Sequence, residues 1–131
     1  MRTLVRDLMT ADVAAVQPDT PARTVAELLA NRQISAMPVV DHDCHVVGVV
    51  SEVDVLHHLH TDQTAGTMMS SPAITVLADQ SADVAAHLME QHGVKRLPVV
   101  DDMGRLAGIV SRSDLIRAYA RGRLPSVNTA G

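Results

Sequence analysis

Aromatic residues are almost missing from this chain: Tyr119 is its one tyrosine, and tryptophan and phenylalanine do not occur among its 131 residues. A core must therefore be assembled from Val, Leu, Ile, Ala and Met, and a flat ligand must be gripped by aliphatic side chains. Cysteine is as scarce. Cys44 stands alone, which excludes an internal disulfide and fits a reducing compartment. No apolar run approaches a membrane span. Arg2, Arg6 and Asp7 interrupt the first apolar residues, so a signal-peptide core is not expected either. The expected location is the cytoplasm. The formal charge is −4, with no block of like charges; without a basic face or stacking aromatics, a nucleic-acid partner is not expected. A Gly-rich phosphate loop, a nucleophile elbow and an HExxH motif are all missing, so the expectation is not an enzyme.

What is present is ordinary in amount and unusual in order. Hydrophobic residues make up 47% and charged residues 20%, as in soluble globular proteins. A shift of sixty residues aligns Met9–His60 with Met69–Ala120 without a gap, and fourteen positions are identical. They include Pro38/Pro98, Asp41/Asp101, Gly48/Gly108, Ser51/Ser111 and Asp54/Asp114. The chain is a duplication. The expected division is a first repeat over 5–60, a linker over 61–66, a second repeat over 67–120 and a flexible tail over 121–131.

Each repeat reads as strand, helix, strand, strand, helix, an α+β class. Ala14–Val16 and Ile74–Leu77 are short strand candidates. Asp19-Thr20-Pro21 and Asp79-Gln80-Ser81 are helix starts, the first with proline at the first helical position. The stripes Ala22, Val25, Ala26, Leu29 and Ala82, Ala85, Ala86, Met89 follow i, i+3, i+4, i+7 and face a core. Gly93 is a natural helix stop; its counterpart Gln33 is not, so the first helix is expected to end differently. Val39-Val40 and Val46–Val50 form a hairpin, as do Val99-Val100 and Leu106–Val110. In the turns, Gly104 offers a positive-φ position in the second repeat only. Closing helices are expected over Ser51 to about His60 and Ser111 to about Arg121. Units of under sixty residues are marginal alone, so a pseudo-twofold pair that shares its apolar faces is expected.

Ser51-x-x-Asp54 and Ser111-x-x-Asp114 each precede an apolar run. This is the spacing of a capping box, in which serine caps the helix and the acid reaches back. The same corner suits a nucleotide. A helix start offers free N–H groups and a positive dipole end to phosphate, while an aspartate one turn in can accept from both hydroxyls of a ribose.

The order Pro-Val-Val-Asp, a turn, Gly-apolar-Val-Ser-x-x-Asp, present twice in register over residues 5 to 120, resembles a cystathionine-β-synthase (CBS) domain as a tandem pair. The resemblance implies two βαββα repeats, their pairing into a Bateman module, frequent homodimerisation, and adenine nucleotides or adenosyl ligands bound in clefts between the repeats. AMP, ADP, ATP and S-adenosylmethionine are the implied ligands, none of them an obligatory cofactor. The implied function is a stand-alone regulatory module that passes ligand occupancy to its own dimer or to an unknown protein effector. The alternative is a ligand-free interaction module acting through dimerisation.

In this family the serine lies near phosphate and the aspartate binds ribose, which here means Ser51 and Asp54, and Ser111 and Asp114. The family pattern places the base against Val13, Ala14, Ile34, Ala36, Met37 and Pro38 in the first repeat. In the second it uses Ala73, Ile74, Val94, Arg96, Leu97 and Pro98. Lys95, Arg96 and Arg112 flank the second corner, where the first has Ser35, Ala36 and Glu52. Cations beside a phosphate help it and an acid there opposes it, so Asp114 is expected to mark the stronger site. His57, His58 and His60, with His42 and His45 in the first turn, lack a completing Cys or carboxylate at a recognisable spacing, and no metal is expected. Cys44, in an exposed turn, is expected to have no role.

Overall fold

The computed structural model describes residues 3–124. They form two compact units that are not the two linear repeats: one contains residues 14–73 and 103–106, the other 3–13, 74–102 and 107–124.

The first unit is built on a hairpin of β1 (Ala36–Val40) and β2 (Val46–Ser51), antiparallel from Ala36 opposite Ser51 to Val40 opposite Val46, with an irregularity after Val39. Of the strand expected at 14–16, Val16 alone pairs, parallel to Val39. The Val16 N–H donates to the Pro38 carbonyl at 3.1 Å. That edge of Pro38, the one without an N–H, therefore faces a one-residue bridge and not the β2 ladder, which is where a strand tolerates proline. Helix α2 (Ala22–Arg32) buries Val25 and Leu29. They join Val16, Met37, Val39, Val50 and Val55 in an aliphatic core.

The second unit repeats the plan. Strand β3 (Val76–Leu77) runs parallel to β4 (Arg96–Val100), which lies beside β5 (Leu106–Ser111). Helix α5 (Ala82–His92) buries Ala82, Ala85 and Met89. Ala86, expected in the stripe, is exposed, and Val84 and Leu88 pack against the core in its place.

Two helices were not legible. Val5–Leu8 (α1) and Ala65–Met68 (α4) each form a single turn, the second of them where a linker was expected. The residues leading into each of them cap a longer helix. The first N–H of α2 donates to the Gln63 carbonyl (2.9 Å), and that of α5 to the Thr3 carbonyl (2.9 Å). Pro21 and Ser81 therefore stand at the N-cap positions without any side-chain cap. Pro21 is thus one residue earlier than the first helical position. Thr20 instead accepts from the Gln17 N–H, and Gln80 from the Leu77 N–H.

The helix stops correct another expectation. Gln33 closes α2 at φ 54°, ψ 46°, and Gly93 closes α5 at φ 65°. The turn does likewise: Cys44 has φ 66° where its counterpart Gly104 has φ 79°. The backbone plan is common to both repeats, and the first carries Cβ atoms in left-handed conformations at a cost of about 1–2 kcal/mol each.

The closing helices differ in length. In the second repeat α6 runs Arg112–Ala120, close to expectation. In the first, α3 is only Glu52–Leu56. The His58 ring Nδ1 lies 2.7 Å from the Asp54 carbonyl, and the His58 N–H turns to Val55 (2.9 Å). An imidazole N–H therefore takes the carbonyl that the next helical N–H would use. Beyond α6, the Arg123 N–H donates to Ala118, Thr3 Oγ1 donates to the Arg123 carbonyl, and Leu124 packs on the core, so residues 121–124 are held rather than loose. The rest of the expected tail, 125–131, lies outside the described residues.

Candidate functional site

Within each unit the hairpin delivers a serine to the start of a helix. Ser51 is the last residue of β2, opposite Ala36, and is extended (φ −122°, ψ 169°) as a capping residue must be. Asp54 N–H donates to Ser51 Oγ at 3.2 Å, while Asp54 Oδ2 accepts from the Ser51 N–H (2.8 Å) and hydroxyl (2.9 Å). Ser111 and Asp114 reproduce this: Asp114 N–H to Ser111 Oγ at 3.1 Å, Ser111 N–H to Asp114 Oδ2 at 2.8 Å. Both are full capping boxes, so the capping reading of the motif holds in both repeats.

A backbone bond ties each corner to the strand that begins its hairpin. The Glu52 N–H donates to the Ser35 carbonyl (2.9 Å), and the Arg112 N–H to the Lys95 carbonyl (2.7 Å). Lys95 and Arg112 are thereby brought to one corner, with exposed side chains; Arg96 beside them is half-buried and engaged in the fold. At the matching corner of the first repeat stand Ser35, Ala36 and the exposed acid Glu52.

The apolar residues expected around a base separate by burial. Met37, Pro38, Leu97 and Pro98 are buried, and Met37 and Leu97 are among the largest side chains wholly inside the protein. Ala14, Ile34, Ala36, Ile74 and Val94 are half-buried and still present some surface. Val13 and Ala73 are half-buried too, but each belongs to a different unit from the other residues of its expected base set.

One contact was missed. Arg117, one turn beyond Asp114, binds its second carboxylate oxygen, Nη2 to Oδ1. Acid and base three residues apart on a helix were the available signal. The first repeat has His57 in that place, and among the described residues no cation contacts the Asp54 carboxylate.

The histidines are arranged differently from the sequence reading. It is the first turn, not the helix end, that gathers donor atoms: Asp41, Asp43 and His45 bring theirs within 4.8 Å of one another. Most of this is turn construction. Asp41 Oδ1 accepts from the N–H groups of Asp43 and His45 at 2.9 Å each, and Oδ2 lies 3.4 Å from His45 Nδ1. The His45 N–H aimed at it holds the Asp41 carboxyl below its ordinary range. An open hollow of about 420 Å³ over this turn is lined by His42, Asp43, Cys44, His45, Met103 and Arg105, none of them a corner residue.

A hairpin-and-helix unit with a serine–aspartate corner is thus built twice in this chain. The sequence profile of the CBS domain matches residues 5–61 and 65–121, and the chain belongs to that family. Its similarity to solved structures extends over the whole pair. The structure of CBSX2 from Arabidopsis thaliana in complex with AMP has a TM-score of 0.85 at 29% identity, covering 93% of this chain and 99% of that one. The CBS domain pair of protein MJ0100 in complex with 5′-methylthioadenosine and S-adenosyl-L-methionine has a TM-score of 0.83 at 27% identity, with the same coverage. Among curated relatives, homoserine O-acetyltransferase of Methanosphaerula palustris is 31% identical over 121 residues, 92% of this chain. The chain spans only 25% of that enzyme's length.

Proposed function

We propose that this CBS pair is a regulatory module that binds an adenine nucleotide or adenosyl ligand, of the AMP, ADP, ATP or S-adenosylmethionine class, and is not itself an enzyme. The observation that carries this reading is the serine–aspartate corner built twice, its carboxylate oriented by the serine N–H and its helix start bonded to the residue that follows half-buried Ile34 or Val94. The likeness to pairs solved with AMP and with S-adenosylmethionine supports it. The second repeat is the stronger site. Lys95 and Arg112 meet there, and α6 aligns nine residues behind Ser111 where α3 aligns five, so more dipole faces the anion. Ser111 lies by the phosphate and Asp114 accepts from the ribose. Ile74, Val94, Leu97 and Pro98 form the aliphatic side toward the base.

Regulation requires that the ligand bind one arrangement of the module better than another, since equal binding transmits nothing. The recipient is the protein's own dimer or a protein effector in the cytoplasm; no helix among the described residues is long and apolar enough to cross a membrane. With one tyrosine the bare protein barely absorbs at 280 nm, so a co-purified nucleotide dominates its ultraviolet spectrum. After removal of any such ligand, AMP at a hundred times its Kd is expected to stabilise the fold by about 2.7 kcal/mol, a rise of several degrees in Tm. A flat spectrum with no thermal shift for AMP, ADP, ATP or S-adenosylmethionine leaves the interaction module as the better account.

Dimerisation has its own support. Leu56 (62% exposed) and Ile116 (63%) occupy equivalent positions on α3 and α6, and Leu59 (61%) and Tyr119 (56%) are equivalent one turn on. In each unit two exposed apolar side chains stand three residues apart, and such side chains offer an interaction face. Light scattering is expected to give twice the 14.0 kDa chain mass, and the double variant L56K/I116K is expected to be monomeric with unchanged circular dichroism. A monomeric parent protein refutes this.

A further inference from the structure

We propose that Arg117 is a latch on the ribose-binding carboxylate of the second repeat, and that it makes this site select phosphorylated adenosyl ligands over neutral nucleosides. The inference rests on the nucleotide-binding reading above. Each carboxylate oxygen of Asp114 already has a partner. Its Oδ2 accepts from the Ser111 N–H at 2.8 Å, and its Oδ1 is covered by the Arg117 guanidinium. A ligand that donates ribose hydroxyls needs this same carboxylate. Surrendering the Ser111 bond would orphan that N–H and open the capping box of α6, so Arg117 is the partner that yields.

Arg117 is able to move. Its side chain is 56% exposed, against 12% for Asp114, and a partly exposed ion pair three residues apart on a helix is weak. Opening it costs roughly a 2- to 5-fold loss of ligand affinity. The displaced guanidinium has no other acidic side chain in contact among the described residues. A phosphate within its reach restores a forked, charge-assisted bond; a neutral nucleoside opens the latch and returns nothing. Selection therefore arises from the exchange of one anion for another, and it belongs to this repeat alone. At the equivalent place the first repeat has His57, and among the described residues the Asp54 carboxylate is held by Ser51 alone.

The test is calorimetric titration of full-length wild-type protein and R117Q with AMP and with adenosine. Glutamine keeps the helix and removes the charge. Adenosine is expected to bind R117Q about 2- to 5-fold more tightly than wild type, because the competitor is gone. AMP is expected to bind it several-fold more weakly, so the preference for AMP falls by about 10-fold or more. An unchanged ratio of the two affinities in R117Q overturns the latch and leaves the nucleotide reading intact. Failure of both ligands to bind the wild-type protein overturns both.

Discussion

Substituting Asp114 by alanine is expected to weaken AMP binding by about 10- to 100-fold, the loss associated with removing hydrogen bonds to a charged acceptor. Asp54→Ala is expected to weaken it by much less. The comparison is informative because the two residues do the same structural work. Each closes a capping box through its own serine, so each alanine variant loses the reach-back bond to the serine N–H, at a cost of about 1 kcal/mol, while the serine hydroxyl still caps the helix. Similar losses of Tm with unequal losses of affinity separate the binding role from the capping role. Asp114→Asn sharpens the separation: its amide oxygen still accepts from the Ser111 N–H, and what it lacks is the charge. Equal losses of affinity at Asp54 and Asp114 would refute the asymmetry between the repeats.

The largest effect on stability is expected at Gly108. A Cβ there would lie 2.6 Å from the Thr10 carbonyl oxygen and 2.9 Å from Met9 Sδ. The oxygen belongs to backbone pinned on both sides: Thr10 N–H donates to Ile109 at 2.8 Å, and Ile109 N–H returns to Thr10 at 2.9 Å. Relief therefore requires breaking that bridge or bending β5. Gly108→Ala is expected to cost about 2–3 kcal/mol, the upper part of the range for overpacking, and to lower Tm by roughly 6–12 °C. Thermal denaturation followed by circular dichroism measures it. Gly93→Ala is the control, since nothing lies within 4 Å of its added Cβ and only the left-handed backbone opposes it. A Gly108→Ala protein that melts with wild type would show that the α1 segment does not lie against β5.

Gly108 also marks where sequence reading stopped. That Gly48 and Gly108 are identical was plain; that each makes room for a segment outside its own hairpin was not. The reason is topological. Periodicity reports which face of an element is buried, and it placed the α2 stripe, the α5 stripe apart from Ala86, the hairpins and the capping serines. It does not report which segment of chain supplies the cover. The helices α1 and α4 are four residues long, too short for any period, and each is stabilised by backbone bonds to the start of a longer helix. The left-handed residues Gln33 and Cys44 were hidden for a related cause. The glycine that advertises such a conformation survives in only one of the repeats, and comparing the copies was the signal available. At the site, the serine and aspartate pairs were read directly because capping is local in sequence. Arg117 was passed over, since a basic residue one turn from an acid is common on solvated helices. His58 shortened α3 through a side-chain bond that no propensity records.

The central claim is that the second serine–aspartate corner holds an adenine nucleotide. Isothermal titration of the purified, ligand-stripped protein with AMP tests it most directly, with the D114A variant alongside. The account predicts saturable binding to the parent protein, with its tighter site abolished or weakened at least 10-fold in D114A. Saturable AMP binding that D114A leaves unchanged, or no binding of AMP by the folded parent protein, would contradict it.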